Sequence, residues 1–357
     1  MVRCFLVLED GTVLEGVSFG HEGTVLAEIV FTTSMSGYQE SITDPAYKGQ
    51  ILVSAFPLIG NYGVTDEYDL SGSIQAEGLV VREYCKEPSD MYGGRTLDEY
   101  LKKNKVSGIS GVDTRDIVSL IRDKGSMNAA IVYNEKDIAD IVKKLKATDI
   151  RKKNLVSSVS TKKIKKADNG KKVTVGVIDC GADRSMLKDL SEIYNVIVFP
   201  YDTDAEEIVK AKVNGLIVSG GPGDPEHPDI AKLVNTVKKI SQSLPIAGVA
   251  FGAMVVAKAF GCKSLKLKFG HHGPTQPVKH GDSVYISSQN HMYTVDQGSM
   301  KGTGLVMDQT NVNDGTLEGF SHTSLPVFGI QYRPVPLRFD EHSYFYNKLD
   351  KIMGAKR

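Results

Sequence analysis

The chain has 357 residues, of which 41% are hydrophobic and 24% are charged, and these are the proportions of an ordinary globular protein of about two domains. Its 43 basic residues balance its 43 acidic residues, so the net charge gives no indication of a nucleic-acid or membrane partner. No apolar run approaches the roughly 20 residues of a membrane span, and the four scattered cysteines lack the spacing of a zinc or disulfide site, so we expect a soluble, cytoplasmic protein without a bound metal.

Residues 1–150 form one compositional unit, in which short β-type runs come first and helical patterns follow. The strands are predicted at residues 5–8, 12–14, 28–32, 51–54 and 78–81. The helices are predicted at residues 97–103, 114–124 and 135–146. Asp113 is the candidate N-cap of the second helix, because an Asp side chain accepts hydrogen bonds from first-turn N–H groups. The pattern predicts a β-rich α/β domain that ends near residue 150.

Residues 151–172 differ from both flanking regions, because they carry eight lysines and one arginine with few bulky apolar groups. This composition predicts a basic linker between two domains. Such a run could also contact an acidic surface of a partner, but a solvated connector is the better interpretation.

From residue 173 onward, strands alternate with helices. The strands are predicted at residues 173–179, 195–200, 215–219, 245–249, 284–287, 292–295, 316–320 and 326–331. The helices are predicted from residue 184, at 205–212, at 229–241, after residue 251 and at 341–353. This alternation predicts a second domain over residues 173–357, with a mainly parallel, helix-flanked sheet. Ligands of such sheets bind at the carboxyl ends of the strands.

The stretch Gly248-Val249-Ala250-Phe251-Gly252 joins one of these strands to a helix. Glycines two positions before and two after a central residue are typical of a nucleophile elbow, a turn so tight that flanking side chains would clash. An elbow normally presents Ser or Cys. This one presents Ala250, whose methyl group has no lone pair with which to attack.

Motifs in both halves make the chain similar to one family, the small, glutamine-amidotransferase subunit of carbamoyl-phosphate synthase. The first half carries FTTSMSGYQE at residues 31–40, PLIGNYG at 57–63, AEGLV at 76–80 and VDTR at 112–115. The second half carries GPGDP at residues 221–225, KFGHHG at 268–273 and QNH at 289–291. The resemblance runs nearly end to end. It implies an N-terminal domain that pairs with a large subunit, followed by a class I glutamine amidotransferase domain.

The resemblance also implies a reaction. In the family, a Cys on the elbow attacks the side-chain amide of glutamine, activated by a His that a Glu orients. Backbone N–H groups near the elbow and in the GPG loop stabilise the oxyanion. The ammonia passes to the large subunit, which makes carbamoyl phosphate from bicarbonate and ATP for arginine and pyrimidine synthesis. No cofactor is expected in this chain, and ATP and Mg are expected in the large subunit.

The chain departs from the family at the positions that carry this chemistry. The triad positions are occupied by Ala250, Arg333 and Val335. The substrate-binding positions of the family correspond here to Ala46, Gly221, Gly223, Phe251, Met254, Asn290, Met292 and Tyr293. Of these, Ala46, Met254, Met292 and Tyr293 depart from the family's residues. Because all three catalytic groups are lost together, we expect ordinary glutaminase activity to be absent and glutamine to bind weakly or not at all.

Several other residues near these motifs are candidates for a replacement function. Cys180 and Cys262 are alternative nucleophiles, although a packed, buried thiol is the better interpretation of each. His271, His272 and His291 lie in retained motifs, where a role in the fold or an interface is favoured over catalysis. Adjacent histidines also lack the i,i+4 spacing of a helical metal site.

Arg333 places a permanent positive charge where the family has a neutral base. It could pair with Asp224 or Glu226, or bind an anion, and a surface or plugging role is the simpler interpretation.

Three functions remain open. The first, favoured by the N-terminal motifs, is a non-catalytic small subunit that supports an ammonia-dependent large subunit as a scaffold or regulatory partner. The second is an active glutaminase with an unrecognised nucleophile. The third is a repurposed module that binds a small metabolite in the altered pocket.

Overall fold

The computed structural model describes residues 2–335 and 343–355, and the chain divides into two units. The first unit contains the residues up to Lys152 together with Lys268–Gly273. The second contains Lys153–Leu267 and the residues from Pro274 onward. The segment 268–273, which the sequence assigned to the second domain, therefore belongs to the first unit. No described helix is both long enough and apolar enough to cross a membrane.

The first unit consists of short strands and four α-helices within the described residues. Its strands are β1 Arg3–Leu8, β2 Val13–Gly20, β3 Val25–Thr32, β4 Gln50–Ser54, β5 Leu58–Ile59, β6 Gly78–Val80, β7 Glu83–Tyr84, β8 Ser107–Ser110 and β9 Met127–Val132. Its helices are α1 Tyr38–Thr43, α2 Leu97–Asn104, α3 Thr114–Lys124 and α4 Ile138–Ala147. All five predicted strands and all three predicted helices are present. α3 has the predicted bounds, and the others have at least one shifted end. The Asp113 cap is confirmed, because its Oδ1 accepts the Arg115 N–H at 3.0 Å.

Seven strands of this unit form a closed barrel in the order β1-β2-β8-β6-β4-β3-β9. The twofold period of β1 explains how the barrel is packed on both sides. Leu6 and Leu8 join one buried cluster with residues of β3 and β4. Phe5 and Val7 point to the opposite face and pack against α4.

The second unit alternates strands and helices, as the sequence predicted. Its helices are α5 Val156–Val159, α6 Arg184–Ile193, α7 Ala205–Lys210, α8 Ala231–Ile240, α9 Phe251–Ala259 and α10 Tyr344–Met353. Its strands are β10 Lys165–Ala167, β11 Thr174–Asp179, β12 Asn195–Pro200, β13 Gly215–Val218, β14 Ile246–Val249, β15 Ser264–His280, β16 Ser283–Val295, β17 Leu305–Asn311, β18 Leu317–His322 and β19 Val327–Ile330. Residues 268–273 of β15 are the part that groups with the first unit. The predicted start of the last helix, at residue 341, lies outside the described residues.

The sheet follows the order β10-β12-β11-β13-β14-β19-β18-β17-β15-β16. Its central strands, β12-β11-β13-β14-β19, are parallel, so the predicted parallel core is confirmed. Antiparallel strands extend it beyond β19. Two of them, β15 and β17, are absent from the sequence prediction, and the two strands predicted at 284–287 and 292–295 are one continuous strand, β16.

The segment predicted as a basic linker, 151–172, contains the short helix α5 and the edge strand β10. It is tied to the second unit by hydrogen bonds, since the Thr161 N–H donates to Asp179 Oδ2 at 2.7 Å and the Tyr201 N–H donates to Ser160 Oγ at 3.1 Å. β10 pairs with β12, and its two lysines are exposed. Charged side chains on an edge strand discourage further strands from adding to the sheet.

Candidate functional site

The turn between β14 and α9 has the geometry of a nucleophile elbow with an alanine at its tip. Ala250 has φ 48° and ψ −113°, a conformation that a residue with a side chain rarely adopts. Its N–H donates to the Ile330 carbonyl of the neighbouring strand β19 at 2.8 Å. The tip is therefore fixed to the carboxyl end of the parallel sheet, where ligands of such folds bind.

Both glycines of the elbow are required by the space around them. A Cβ on Gly248 would lie 2.5 Å from the Cα of Ala253, and a Cβ on Gly252 would lie 2.0 Å from the Val218 carbonyl oxygen. Both distances are far below van der Waals contact, so any side chain would force the backbone apart. The close packing of α9 against β13 and β14 thus dictates the turn, whatever residue stands at its tip.

The glycine-rich loop after β13 lies beside the tip of the elbow. A Cβ built on Gly220 would lie 3.8 Å from the Ala250 Cβ, and one on Gly221 would lie 2.0 Å from the Cys180 carbonyl oxygen. Gly223 has a positive φ of 91°. Gly221 therefore lies where the backbone of another segment leaves no room for a side chain. Gly223 adopts a left-handed conformation that favours glycine.

Arg333 lies just beyond the end of β19 and forms an ion pair with Asp183. The side-chain Nη2 is 3.3 Å from Asp183 Oδ2, and the backbone N–H of Arg333 donates to the Ser288 carbonyl at 2.9 Å. Asp183 also caps α6, because its Oδ1 accepts the Met186 N–H at 2.8 Å. The Arg333 side chain is about one third exposed, at 32%. The guanidinium therefore has a carboxylate beside it.

The two partners that the sequence suggested for Arg333 are wrong. Asp224 accepts the Glu226 N–H at 2.8 Å within its own turn, and the Glu226 carboxylate forms an ion pair with Lys258. Asp183 was missed by the sequence analysis. Its position immediately before the predicted start of α6 is the signal that could have identified it as a fixed carboxylate.

The remaining positions expected at the site lie on several elements. Phe251 and Met254 of α9 are 1% and 2% exposed, and Met292 and Tyr293 of β16 are 7% and 8% exposed. Asn290 is half-buried. Val335 is 40% exposed, so its side chain is not packed into a pocket of the described chain.

Ala46 belongs to the first unit, whereas the positions above belong to the second. It lies in a short 3₁₀ turn, where its N–H donates to Asp44 Oδ1 at 2.9 Å.

Neither candidate cysteine has the environment of a nucleophile. Cys180 is fully buried, and this burial raises the pKa of its thiol well above the usual range. Cys262 is 5% exposed, and burial raises its pKa as well. A catalytic thiol needs a lowered pKa and access to substrate. Both cysteines therefore fit the interpretation of packed, unreactive thiols.

Two histidines of the retained motifs, His272 and His291, have contacts with neighbouring residues. The ring nitrogens of His291 lie 2.8 Å from Gln289 Oε1 and 2.8 Å from the Tyr293 carbonyl oxygen. In the first unit, His272 stacks on Tyr47 at a centroid distance of 5.6 Å, and His271 is buried. Contacts of this kind suit a role in the fold.

Comparisons with known proteins agree along the whole chain. Residues 6–131 match the family model of the carbamoyl-phosphate synthase small chain, CPSase domain, and residues 176–351 match that of the class I glutamine amidotransferases. The carbamoyl phosphate synthase small chain of Methanosarcina acetivorans is 40% identical, over 99% of this chain and 100% of that protein. The one from Archaeoglobus fulgidus is 42% identical, over 97% of each. A solved glutamine amidotransferase from Thermotoga maritima covers 45% of this chain and 75% of its own, at 17% identity and a TM-score of 0.36.

Proposed function

Because this chain belongs to the family of carbamoyl-phosphate synthase small chains, we propose that it is a non-catalytic member. In this proposal it pairs with a large synthetase subunit and does not hydrolyse glutamine. The large subunit then makes carbamoyl phosphate from bicarbonate, ATP and free ammonia, for arginine and pyrimidine synthesis. The chain described here acts as scaffold, stabiliser or regulatory partner.

The observation that carries this proposal is an intact elbow with no reacting group. The turn is built around Ala250, and the backbone is held by Gly248, Gly252 and the hydrogen bond to Ile330. A methyl group can neither attack an amide nor hold an acyl intermediate. The oxyanion-stabilising backbone has nothing to act upon once the nucleophile is lost.

The position of the base supports the same proposal. An arginine is protonated at every relevant pH, so it cannot accept the proton of a nucleophile. In this chain the Arg333 guanidinium is 3.3 Å from the Asp183 carboxylate, which further stabilises its charge. Val335, at the position of the orienting carboxylate, offers only a hydrocarbon side chain.

The decisive experiment is co-expression with a candidate large subunit and an assay of carbamoyl phosphate synthesis from each nitrogen source. We expect synthesis with ammonia and none above background with glutamine. Glutamine-dependent synthesis would overturn the proposal. If that activity were abolished by Cys180→Ser or Cys262→Ser, it would assign the reaction to an unrecognised nucleophile. Failure of any large subunit to bind would instead favour a separate metabolite-binding module.

A further inference from the structure

An open cleft lies in the second unit, formed by residues of α10, β17, β18 and β19. Its volume is about 770 Å³, which is within the range of small-molecule sites. Leu325, Val327 and Ile352 form an apolar wall of the cleft, and Val327 is 2% exposed. Ligand sites combine such a wall with a few polar groups that fix the orientation of the ligand.

The cleft lies at the opposite end of β19 from the elbow. Val327, the first residue of β19, lines the cleft, whereas the carbonyl of Ile330, the last residue, accepts the N–H of Ala250. Three residue steps along an extended strand span about 10 Å. The cleft is therefore separate from the candidate site at the elbow, and an inference about it does not depend on the proposed function.

One carboxylate oxygen organises the polar side of the cleft. Asp308 Oδ2 accepts a hydrogen bond from the Tyr344 hydroxyl at 3.2 Å and lies 2.9 Å from the Lys348 ammonium. The Ser321 hydroxyl donates to the same oxygen. The Lys348 ammonium also donates to the hydroxyls of Ser321 and Tyr344. All three N–H donors of Lys348 therefore have acceptors, and its charge is fixed at one place in the cleft.

Aromatic rings also contact Lys348. Its ammonium lies 4.7 Å from the ring centroid of Tyr344 and 5.1 Å from that of Phe328. The ring of His280 packs edge-on against that of Tyr344 at 4.9 Å. Burial raises the pKa of the Tyr344 hydroxyl, so this hydroxyl stays protonated and continues to donate to Asp308. A cation held in this way needs little further ordering when a ligand binds.

The charged groups that line the cleft favour an anion. Among the described residues of the lining, Lys348 and Lys351 are cations and Asp308 is an anion, while His280 and His322 add ring nitrogens. Lys351 is exposed and follows Lys348 by three positions, so the two side chains lie on the same face of α10. Asp308 neutralises one of the two ammonium groups, and the cleft keeps the charge of the other.

We propose that this cleft binds a small organic anion, a phosphate ester or a carboxylate, with its charged group at the two lysines and its apolar group on the wall. A metal cation is a poorer occupant, because Asp308 is already paired with Lys348 and Lys351 would repel a second cation. Asp308 acts in this proposal as an internal competitor, since it occupies the Lys348 ammonium that an external anion would otherwise bind.

The test is titration calorimetry of the full chain with phenyl phosphate, inorganic phosphate and phenol. Phenyl phosphate should bind about tenfold or more tightly than either of the others, because it alone contacts both the lysines and the apolar wall. Benzoate separates the two sources of charge, and tighter binding of benzoate than of phenyl phosphate would assign the cleft to carboxylates. If neither phenyl phosphate nor benzoate bound at millimolar concentration, the proposal would be overturned.

Lys351→Met removes one of the two cations, and it should weaken the binding of phenyl phosphate by about fivefold or more. Lys238→Met is the matched control, because Lys238 is also an exposed lysine in the last turn of a helix of ten residues, α8. This control should bind like the wild type. Equal weakening in both variants would overturn the proposal, because the binding would then follow the general surface charge.

Asp308→Asn separates a ligand site from a purely structural cluster. The amide keeps an acceptor for the hydroxyls but removes the competing charge, so the affinity for phenyl phosphate should rise by about fivefold or more. A structural role alone predicts unchanged or weaker binding, and that result in a folded variant would overturn the role of Asp308 as competitor. Thermal unfolding verifies the fold of each variant. If Asp308→Asn does not fold, the comparison of Lys351→Met with Lys238→Met decides the proposal.

Discussion

The backbone conformation of Ala250 shows that packing, and not chemistry, maintains the elbow. Its φ of 48° is strained for any residue with a side chain, at a cost of about 1–3 kcal/mol. The strain persists although no nucleophile remains to benefit from it. The cause is the contact of Gly248 with Ala253 and of Gly252 with Val218, which leaves the backbone no other path.

This strain predicts that Ala250→Gly stabilises the protein. Glycine adopts the left-handed region at little cost, and the relieved strain should exceed its greater unfolded-state entropy by about 1 kcal/mol. Urea denaturation measures the change in the free energy of unfolding. The same substitution at Ala257, inside α9, is the control and should destabilise by about 1 kcal/mol. A destabilising Ala250→Gly would show that the turn is not strained.

Restoring the nucleophile alone should not restore activity. In Ala250→Cys the thiol would have no base within reach, because position 333 carries a guanidinium bound to Asp183. We expect ammonia release from glutamine to remain at background. Alkylation of the new thiol by iodoacetamide, compared with the wild type, controls for its accessibility. Turnover by an Ala250→Cys variant whose new thiol is accessible would contradict the assigned loss of the base.

The sequence predicted that the candidate site residues follow strands of the sheet, but it did not predict their partners. Motif spacing located Ala250, Arg333 and the glycines of the GPG loop, because each follows a strand of a parallel sheet. It did not locate the partner of Arg333, because Asp183, Asp224 and Glu226 are all distant from it along the chain and the sequence alone does not choose between them. The two acids that it suggested, Asp224 and Glu226, have other partners, and only the folded chain shows this.

Asp183 connects two elements, since it caps α6 and pairs with Arg333, which lies just beyond the end of β19. Asp183→Ala should therefore destabilise the chain by about 1–2 kcal/mol, mainly through the lost cap. Asp183→Asn keeps an acceptor for the Met186 N–H and should cost much less, because an ion pair with a partly exposed Arg333 contributes little. Urea unfolding of both variants separates the two contributions. Equal losses would assign the stability to the ion pair.

Many elements with a clear period were predicted, and two of those that were missed have an interrupted period. The parallel strands and the helices from α6 to α9 have regular apolar patterns. β15 contains Gly270, Gly273, Pro274 and Pro277, which are turn signals in a sequence. Gly270 and Gly273 do adopt positive φ values, of 73° and 108°, but the strand continues through them. β17 contains a bulge between residues 307 and 309, and this breaks its twofold period.

The charges of the whole molecule balance, but they are not distributed evenly along the chain. The chain has no net charge, yet eight lysines and one arginine lie in the segment 151–172. Overall composition therefore excluded partners that bind through a strong net charge, but it contained no information about a partner that recognises one patch.

Thermal stability should distinguish a chain that binds a protein partner from one that binds glutamine. A ligand that binds only the native state stabilises it by about 2.7 kcal/mol at about 100 times its Kd. We expect the large subunit to raise the Tm of this chain, and millimolar glutamine to leave it unchanged. The proposed reason is that Met254 and Met292, which are 2% and 7% exposed, fill positions that the resemblance to the family assigns to substrate binding.

Differential scanning fluorimetry provides the Tm values, and titration calorimetry measures glutamine binding directly. The double variant Met254→Gln, Met292→Gly, which restores the family's residues at both positions, is the matched comparison and should gain affinity for glutamine. Because neither substitution supplies a nucleophile or a base, this gain should come without turnover. Micromolar affinity of the wild type for glutamine would contradict the expectation that Met254 and Met292 prevent glutamine from binding. The chain would then have kept substrate binding while losing catalysis.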